Sequence, residues 1–212
     1  MRPLILNALL VALAAHGAAQ QQKIDPARIV RLDRQDLAVA DFKAEGYILD
    51  IGGGGEGIIG RMKPQQTVAI DLYKNELQES PQGPLKIIMD ASDLKFLDAS
   101  FDTVTAFFSL MYMKPDIQEK VFAEAFRVMR PNGRLLIWDA TIPTAPDGNS
   151  DVVIYYFTFK LPKEEVRTGY GTRWPERTLD VAHYRSLAEK AGFVVQSTSE
   201  QGRTFKMELR KP

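Results

Sequence analysis

The chain has 212 residues, 45% hydrophobic and 25% charged, which suits one well-filled α/β domain and excludes both a disordered chain and a membrane bundle. Lysine plus arginine and aspartate plus glutamate number 27 each, so net charge gives no argument for a nucleic-acid partner. There is no cysteine and there are two histidines, His16 and His183. Disulfides, thiolate nucleophiles, cysteine–zinc sites and histidine-built metal sites are thereby excluded, which leaves carboxylates, hydroxyls, aromatics and a bound cofactor to carry any chemistry.

In chain order, Arg2 precedes a run from Leu4 to Ala15 that is apolar except at Asn7, and small residues follow to Ala19. This is the pattern of a secretory leader over residues 1–19, too short for a permanent membrane span of roughly 20 residues. Residues 20–46 read as a helical segment: Asp25 is a candidate N-cap, Pro26 stands at the first helical position, and Ile29, Leu32 and Leu37 share one face over 26–38. Strands are expected at 47–51, 67–70, 85–89, 101–107 and 134–138. The first is followed by a helix at 56–62 and the fourth by an amphipathic helix at 117–129, while Pro131-Asn132-Gly133 turns the chain into the fifth strand. Residues 141–180 break this alternation. Within them 151–161 and 165–174 read as a β-hairpin inserted at the carboxyl edge of the sheet, a position for a substrate lid. A helix at 181–191, stopped by Gly192, and a closing strand pair at 193–199 and 204–209 complete the chain. The expected fold is a doubly wound α/β domain over 47–212. Its sheet has seven strands, parallel except for one, with helices on both faces.

The segment Asp50-Ile-Gly-Gly-Gly-Gly-Glu-Gly57 follows a strand and opens a helix. Glycines allow a sharp reversal and close approach of a ligand, and the amides opening the next helix favour an anionic group. Gly52, Gly54 and Gly57 also fit the dinucleotide fingerprint, with Asp71 at the distance of a ribose-binding acid. The glycines alone therefore leave two cofactors open, and with them a glycine-rich turn that binds no ligand. Four features separate them: an acid at Asp50, a further acid at Asp90 closing the third strand, the RVMRPNGRLLI segment leading into the fifth strand, and the terminal strand pair in place of a substrate domain.

With these in hand, residues 47–138 resemble the core of the class I S-adenosylmethionine-dependent methyltransferases, particularly the small-molecule group that includes quinone-biosynthesis enzymes. ILDIGGGGEG resembles the first motif of that family, AIDLY the second, MDASDLKF the third, FDTVTAFFSLMYM the fourth and RVMRPNGRLLI the post-core strand. Glu56 stands where the family has its third glycine. The resemblance implies S-adenosylmethionine as cofactor and in-line methyl transfer to a small-molecule acceptor. Asp50 would order the bend and reach the methionine ammonium, Gly52 and Gly54 would give clearance, and Asp71 would accept from the ribose hydroxyls. Leu72, Asp90 and Ala91 would hold the adenine, while Ser109 and Leu110 would line the methyl-transfer centre.

A phenol or alcohol acceptor needs a general base, for which Asp139, His183 and Tyr112 are the candidates; a nitrogen or carbanion-like carbon needs little more than positioning. Tyr170 and Trp174 are candidate substrate contacts in the hairpin, beside Tyr155 and Tyr156, of which only one can face inward. Cysteine-dependent base methylation is excluded, and no nucleic-acid partner is expected. The alternatives are a nicotinamide-dependent oxidoreductase and a non-catalytic S-adenosylmethionine-binding module. The leader points to export, whereas the cofactor is made in the cytoplasm, so a cytoplasmic location is the alternative.

Overall fold

The computed structural model describes residues 24–146 and 150–212; the leader read over residues 1–19 lies outside them. The described chain divides into two units, residues up to 40 with 142–178, and residues 41–141 with 179–212.

The first unit corrects the expected N-terminal helix. Asp25 does cap, accepting the amide of Ala27 at 2.9 Å, and Pro26 opens the turn. The helix stops after the single 3-10 turn Pro26–Arg28, and the chain then extends as β1 (Ile29–Arg31) and β2 (Gln35–Ala38). Both run parallel to one partner, β8 (Val152–Lys160), with Ile29 opposite Val152 and Gln35 opposite Phe157. The amides of Leu32 and Val39 continue the ladder to Ile154 and Lys160. Helical spacing of three apolar residues is a local preference worth tenths of a kcal/mol per residue, whereas an edge strand gains a full row of backbone hydrogen bonds. The partner comes from far along the chain. Arg28 and Asp151, joined by two hydrogen bonds of 2.7 Å at this end of the ladder, are 123 residues apart.

β8 turns into β9 (Glu165–Arg173) as the expected antiparallel hairpin, with Val152 opposite Arg173 and Lys160 opposite Glu165. Tyr155 is the inward member of the adjacent tyrosine pair, 1% exposed and stacked on Phe157. Tyr156 lies on the other side of the strand, under the Arg34 guanidinium.

The second unit holds β3 (Ile48–Ile51), α1 (Ile58–Met62), β4 (Thr67–Asp71), α2 (Lys74–Glu79), β5 (Leu85–Ile88), β6 (Phe101–Phe107), α3 (Pro115–Val128), β7 (Met129–Ala140), α4 (Val181–Ala191), β10 (Val194–Gln201) and β11 (Thr204–Arg210). The short helix α2 was not legible in the sequence. Its seven strands lie in the order β10-β11-β7-β6-β3-β4-β5, and β11 alone runs antiparallel to its neighbours. Ile48, Leu49, Asp50 and Ile51 are all 2% exposed or less. Successive residues of a strand point to opposite faces, so both faces of the central strand are covered. The strand order reverses direction at β3, between β4 on one side and β6 on the other. The segments following β3 and β6 thus meet at the carboxyl edge of the sheet, the crevice where ligands bind in open α/β sheets.

Candidate functional site

The glycine bend after β3 is built on β4 and α2. The amides of Gly52 and Gly53 donate to the carbonyl of Ile70 at 2.9 and 3.0 Å, that of Gly55 to the carbonyl of Glu76 at 2.9 Å, and that of Gly57 to Gly54 at 3.0 Å. The Gly54 amide reaches the Asp71 carboxylate. These amides of the bend are therefore committed within the protein. Carboxylates crowd the bend. A Cβ on Gly53 would lie 2.6 Å from Asp50 Oδ2, one on Gly54 2.8 Å from Asp71 Oδ2, and one on Gly55 3.2 Å from Glu76 Oε2.

Each carboxylate is shaped by its element. Asp50 is paired in register with Thr105 of β6, whose hydroxyl donates to it at 2.7 Å. Burial, with Asp71 nearby, raises its carboxyl to about 7 against that hydrogen bond. Asp71 ends β4, accepts the amide of Tyr73 at 2.9 Å, and is also raised by burial. Glu76 of α2, which sequence reasoning missed, is raised to about 7 by burial and by Asp71, Glu79 and Glu56. Leu72, immediately after Asp71, is 55% exposed, an apolar surface held at the strand end beside the acids.

Asp90 and Ala91 follow β5. Asp90 is exposed and accepts both the amide and the hydroxyl of Ser92 at 2.8 Å, which closes the turn by a side-chain bond. Asp93, in the same loop, pairs with Lys95. The rest of this loop is tied to α3, where Arg127 donates to the carbonyls of Leu94 and Phe96 and pairs with Asp98 and Glu124.

The second wall follows β6. The Ser109 hydroxyl donates to the carbonyl of Ile51 at 2.7 Å, and its Cβ is 2.4 Å from where a Gly52 Cβ would be. Ser109 thus borders the bend. Leu110 does not expose its side chain there: it is 1% exposed and shares the apolar interior with Ile51, Ala106, Val121 and Phe122. The 3-10 turn Leu110–Tyr112 then places Tyr112, half-buried, within the field of Glu56, Asp139 and Glu76. Burial, reinforced by these acids, pushes its phenol well above its ordinary value, so it remains protonated at neutral pH.

Asp139, near the end of β7, is fully buried. It accepts the amides of Met111 at 3.1 Å and Ala140 at 2.8 Å, and the amide of Leu110 as well. Burial raises its carboxyl to about 7. His183 lies on α4, with Nε2 2.7 Å from Gln118 Oε1. Gln118, also missed, is 0% exposed and donates to the carbonyl of Leu110 at 3.0 Å. Its signal was present: residue 118 is one turn before Val121 and Phe122 on the apolar stripe of α3, where a glutamine needs partners.

Tyr170 and Trp174 belong to the first unit. Tyr170 is 9% exposed and packs against Phe157 and Phe159, so its ring is part of the hairpin's own core. Trp174 follows β9 with its indole N–H buried and without a hydrogen-bond partner among the described residues. Among the described residues there is no cluster of metal-ligating side chains and no helix long and apolar enough to cross a membrane.

The strand order and the glycine bend at the reversal point define a Rossmann-like domain, with acids at the end of β4 and within α2 beside the bend. Residues 49–137 match the family described as "Methyltransferase domain". A ubiquinone/menaquinone biosynthesis C-methyltransferase from Desulfotalea psychrophila is 30% identical over 135 residues, 59% of this chain and 54% of that protein. A 27-O-demethylrifamycin SV methyltransferase from Amycolatopsis mediterranei is 33% identical over 131 residues, 56% of this chain and 47% of that protein. Among solved structures, an S-adenosylmethionine-dependent methyltransferase from Methanosarcina mazei shares the fold with a TM-score of 0.57 at 18% identity, over 80% of this chain and 94% of that one. Residues 49–137 thus resemble a methyltransferase domain, on a fold that the chain shares with S-adenosylmethionine-dependent methyltransferases. The chain spans about half the length of the curated relatives it matches. The fold alone does not name the reaction, since a [4+2]-cyclase shares it with a TM-score of 0.56 at 13% identity, over 79% of this chain and 76% of that one.

Proposed function

We propose that this protein transfers the methyl group of S-adenosylmethionine to a small molecule whose accepting atom is already nucleophilic, an amine nitrogen or a stabilised carbanion. The observation that carries the cofactor half is the commitment of the bend's amides within the protein, with Asp50, Asp71 and Glu76 around it. Carboxylates suit ribose hydroxyls, an ammonium and a sulfonium, and repel the pyrophosphate of a dinucleotide. Asp71 would hold the ribose, Leu72 would pack on the adenine, Asp90 and Ala91 would meet its edge, and Asp50 would fix the bend beneath the methionine end. The bound cofactor supplies an activated methyl group. The chain's task is then to orient the acceptor and exclude water.

The acceptor half rests on the three candidate bases. Asp139 is inaccessible and directs its oxygens at backbone amides, Tyr112 is held as a phenol, and His183 directs Nε2 at Gln118. An acceptor that brings its own nucleophilicity fits such a site better than an alcohol awaiting deprotonation. The proteins it resembles include both a C-methyltransferase and a phosphoethanolamine N-methyltransferase. Calorimetric titration with S-adenosylhomocysteine and with NAD tests the cofactor. Binding of the first alone is expected, and binding of NAD alone would overturn the reading. A screen of amine, enolic and simple phenolic acceptors tests the rest. Turnover confined to phenols or alcohols would refute the acceptor class.

A further inference from the structure

We infer that His183 is a positioning residue: through the buried amide of Gln118 it holds the turn that borders the glycine bend. The inference rests on the proposed reading of that bend as the cofactor site. Three bonds define the relay. The cap residue Asp180 accepts the amide of His183 at 2.9 Å and so fixes where α4 begins. The ring's Nε2 meets Gln118 Oε1 at 2.7 Å, and Gln118 Nε2 meets the carbonyl of Leu110 at 3.0 Å.

The orientation of this relay follows from what each group can do. A carbonyl can only accept, so the NH2 of Gln118 must face Leu110 and its oxygen must face His183. The imidazole therefore carries a proton on Nε2 and donates it, whether the ring is neutral or cationic. An Nε2 bound in this way cannot also serve as the acceptor of a substrate proton. On the opposite side of the turn, Asp139 accepts the amides of Leu110 and Met111. The peptide groups of Leu110 are thus gripped from both ends, and Ser109 just before them is pinned to Ile51. Gln118 is completely buried, with the Tyr184 hydroxyl 3.5 Å from its Nε2 as a further, longer contact, so its amide oxygen has no water to turn to if His183 left. Losing the histidine would strand the amide oxygen, let the glutamine turn, and release the turn that limits the volume beside Gly52.

The chain's two histidines make the test direct. In the His16→Gln protein labelled with 15N-histidine, every ring signal comes from His183. The expected result is an Nε2 with a directly bonded proton that exchanges slowly; an unprotonated Nε2 would overturn the inference. In parallel, S-adenosylhomocysteine affinity is measured for His183→Leu and His183→Gln, since a glutamine amide can reach the same oxygen. The leucine variant should bind about 5-fold more weakly and the glutamine variant within about 2-fold of the original. Equal affinity for both variants, in a protein that binds the ligand, would reject the relay and leave the cofactor reading standing. Failure of the unaltered protein to bind S-adenosylhomocysteine would instead reject the cofactor reading, while the ring signal would still report the hydrogen bond.

Discussion

Gly52 and Ser109 approach so closely that a Cβ on the glycine would stand 2.4 Å from the Cβ of the serine, at a backbone φ of +71°. Both the contact and the left-handed backbone oppose a side chain. Gly52→Ala should lower stability by about 2–4 kcal/mol, combining a backbone term of about 1–2 kcal/mol with overpacking. Adding Ser109→Gly removes the clash but not the backbone term, so the double variant should recover only part of the loss. Urea unfolding checks this, and an unaltered midpoint for Gly52→Ala would disprove the close approach.

Asp71 and Leu72 are adjacent but should fail differently. Asp71→Ala should weaken S-adenosylhomocysteine binding by roughly 10- to 150-fold through loss of charged hydrogen bonds. Leu72 is 55% exposed, so Leu72→Ala should shift stability by less than about 0.5 kcal/mol. It should nonetheless reduce affinity by about 5- to 30-fold as its apolar cover over the adenine is lost. Calorimetry beside thermal unfolding separates the two effects; equal affinities for Leu72→Ala and the parent would remove Leu72 from the site.

Three carboxyls, those of Asp50, Glu76 and Asp139, are raised to about 7 in the folded chain from 3.8, 4.5 and 3.8. The folded state therefore keeps protons that the unfolded chain has already released. Their contribution to stability is complete below about pH 4 and is lost as pH rises through about 7. The free protein should melt at a lower temperature at about pH 8 than at about pH 6, with a shallower slope in Asp139→Asn. A cationic ligand reverses the preference at Asp50 and Glu76. Binding of S-adenosylmethionine near pH 7 should release protons, seen as a dependence of the calorimetric heat on buffer ionisation enthalpy. No buffer dependence would mean that these acids do not sense the ligand.

Arg127 ties the loop after Asp90 to α3 through the carbonyls of Leu94 and Phe96. Arg127→Ala should cost about 1–3 kcal/mol by leaving these two carbonyls without their donor, while Glu124 keeps the amide of Leu94. Hydrogen exchange should quicken in residues 91–98 while β3 and β6 stay protected. Uniform quickening across the sheet would show instead that the arginine supports the whole unit.

The sequence alone carried the seven-stranded sheet, the bend at Gly52, the acids at Asp50, Asp71 and Asp90, and the helix ended by Gly192. Each follows from local rules: glycine where the backbone must be left-handed, apolar runs where a strand is covered on both faces, an acid where a strand reaches the edge. Tertiary structure decided what depends on a distant partner. Residues 29–38 carry a helical spacing, yet they extend because β8 offers them a row of hydrogen bonds. Leu110 and Tyr170 looked like site residues and became core, because burial depends on which neighbours arrive. The amides of the bend were committed to Ile70 and Glu76, and Asp139, Gln118 and His183 were joined around one turn, by contacts that no window of sequence contains.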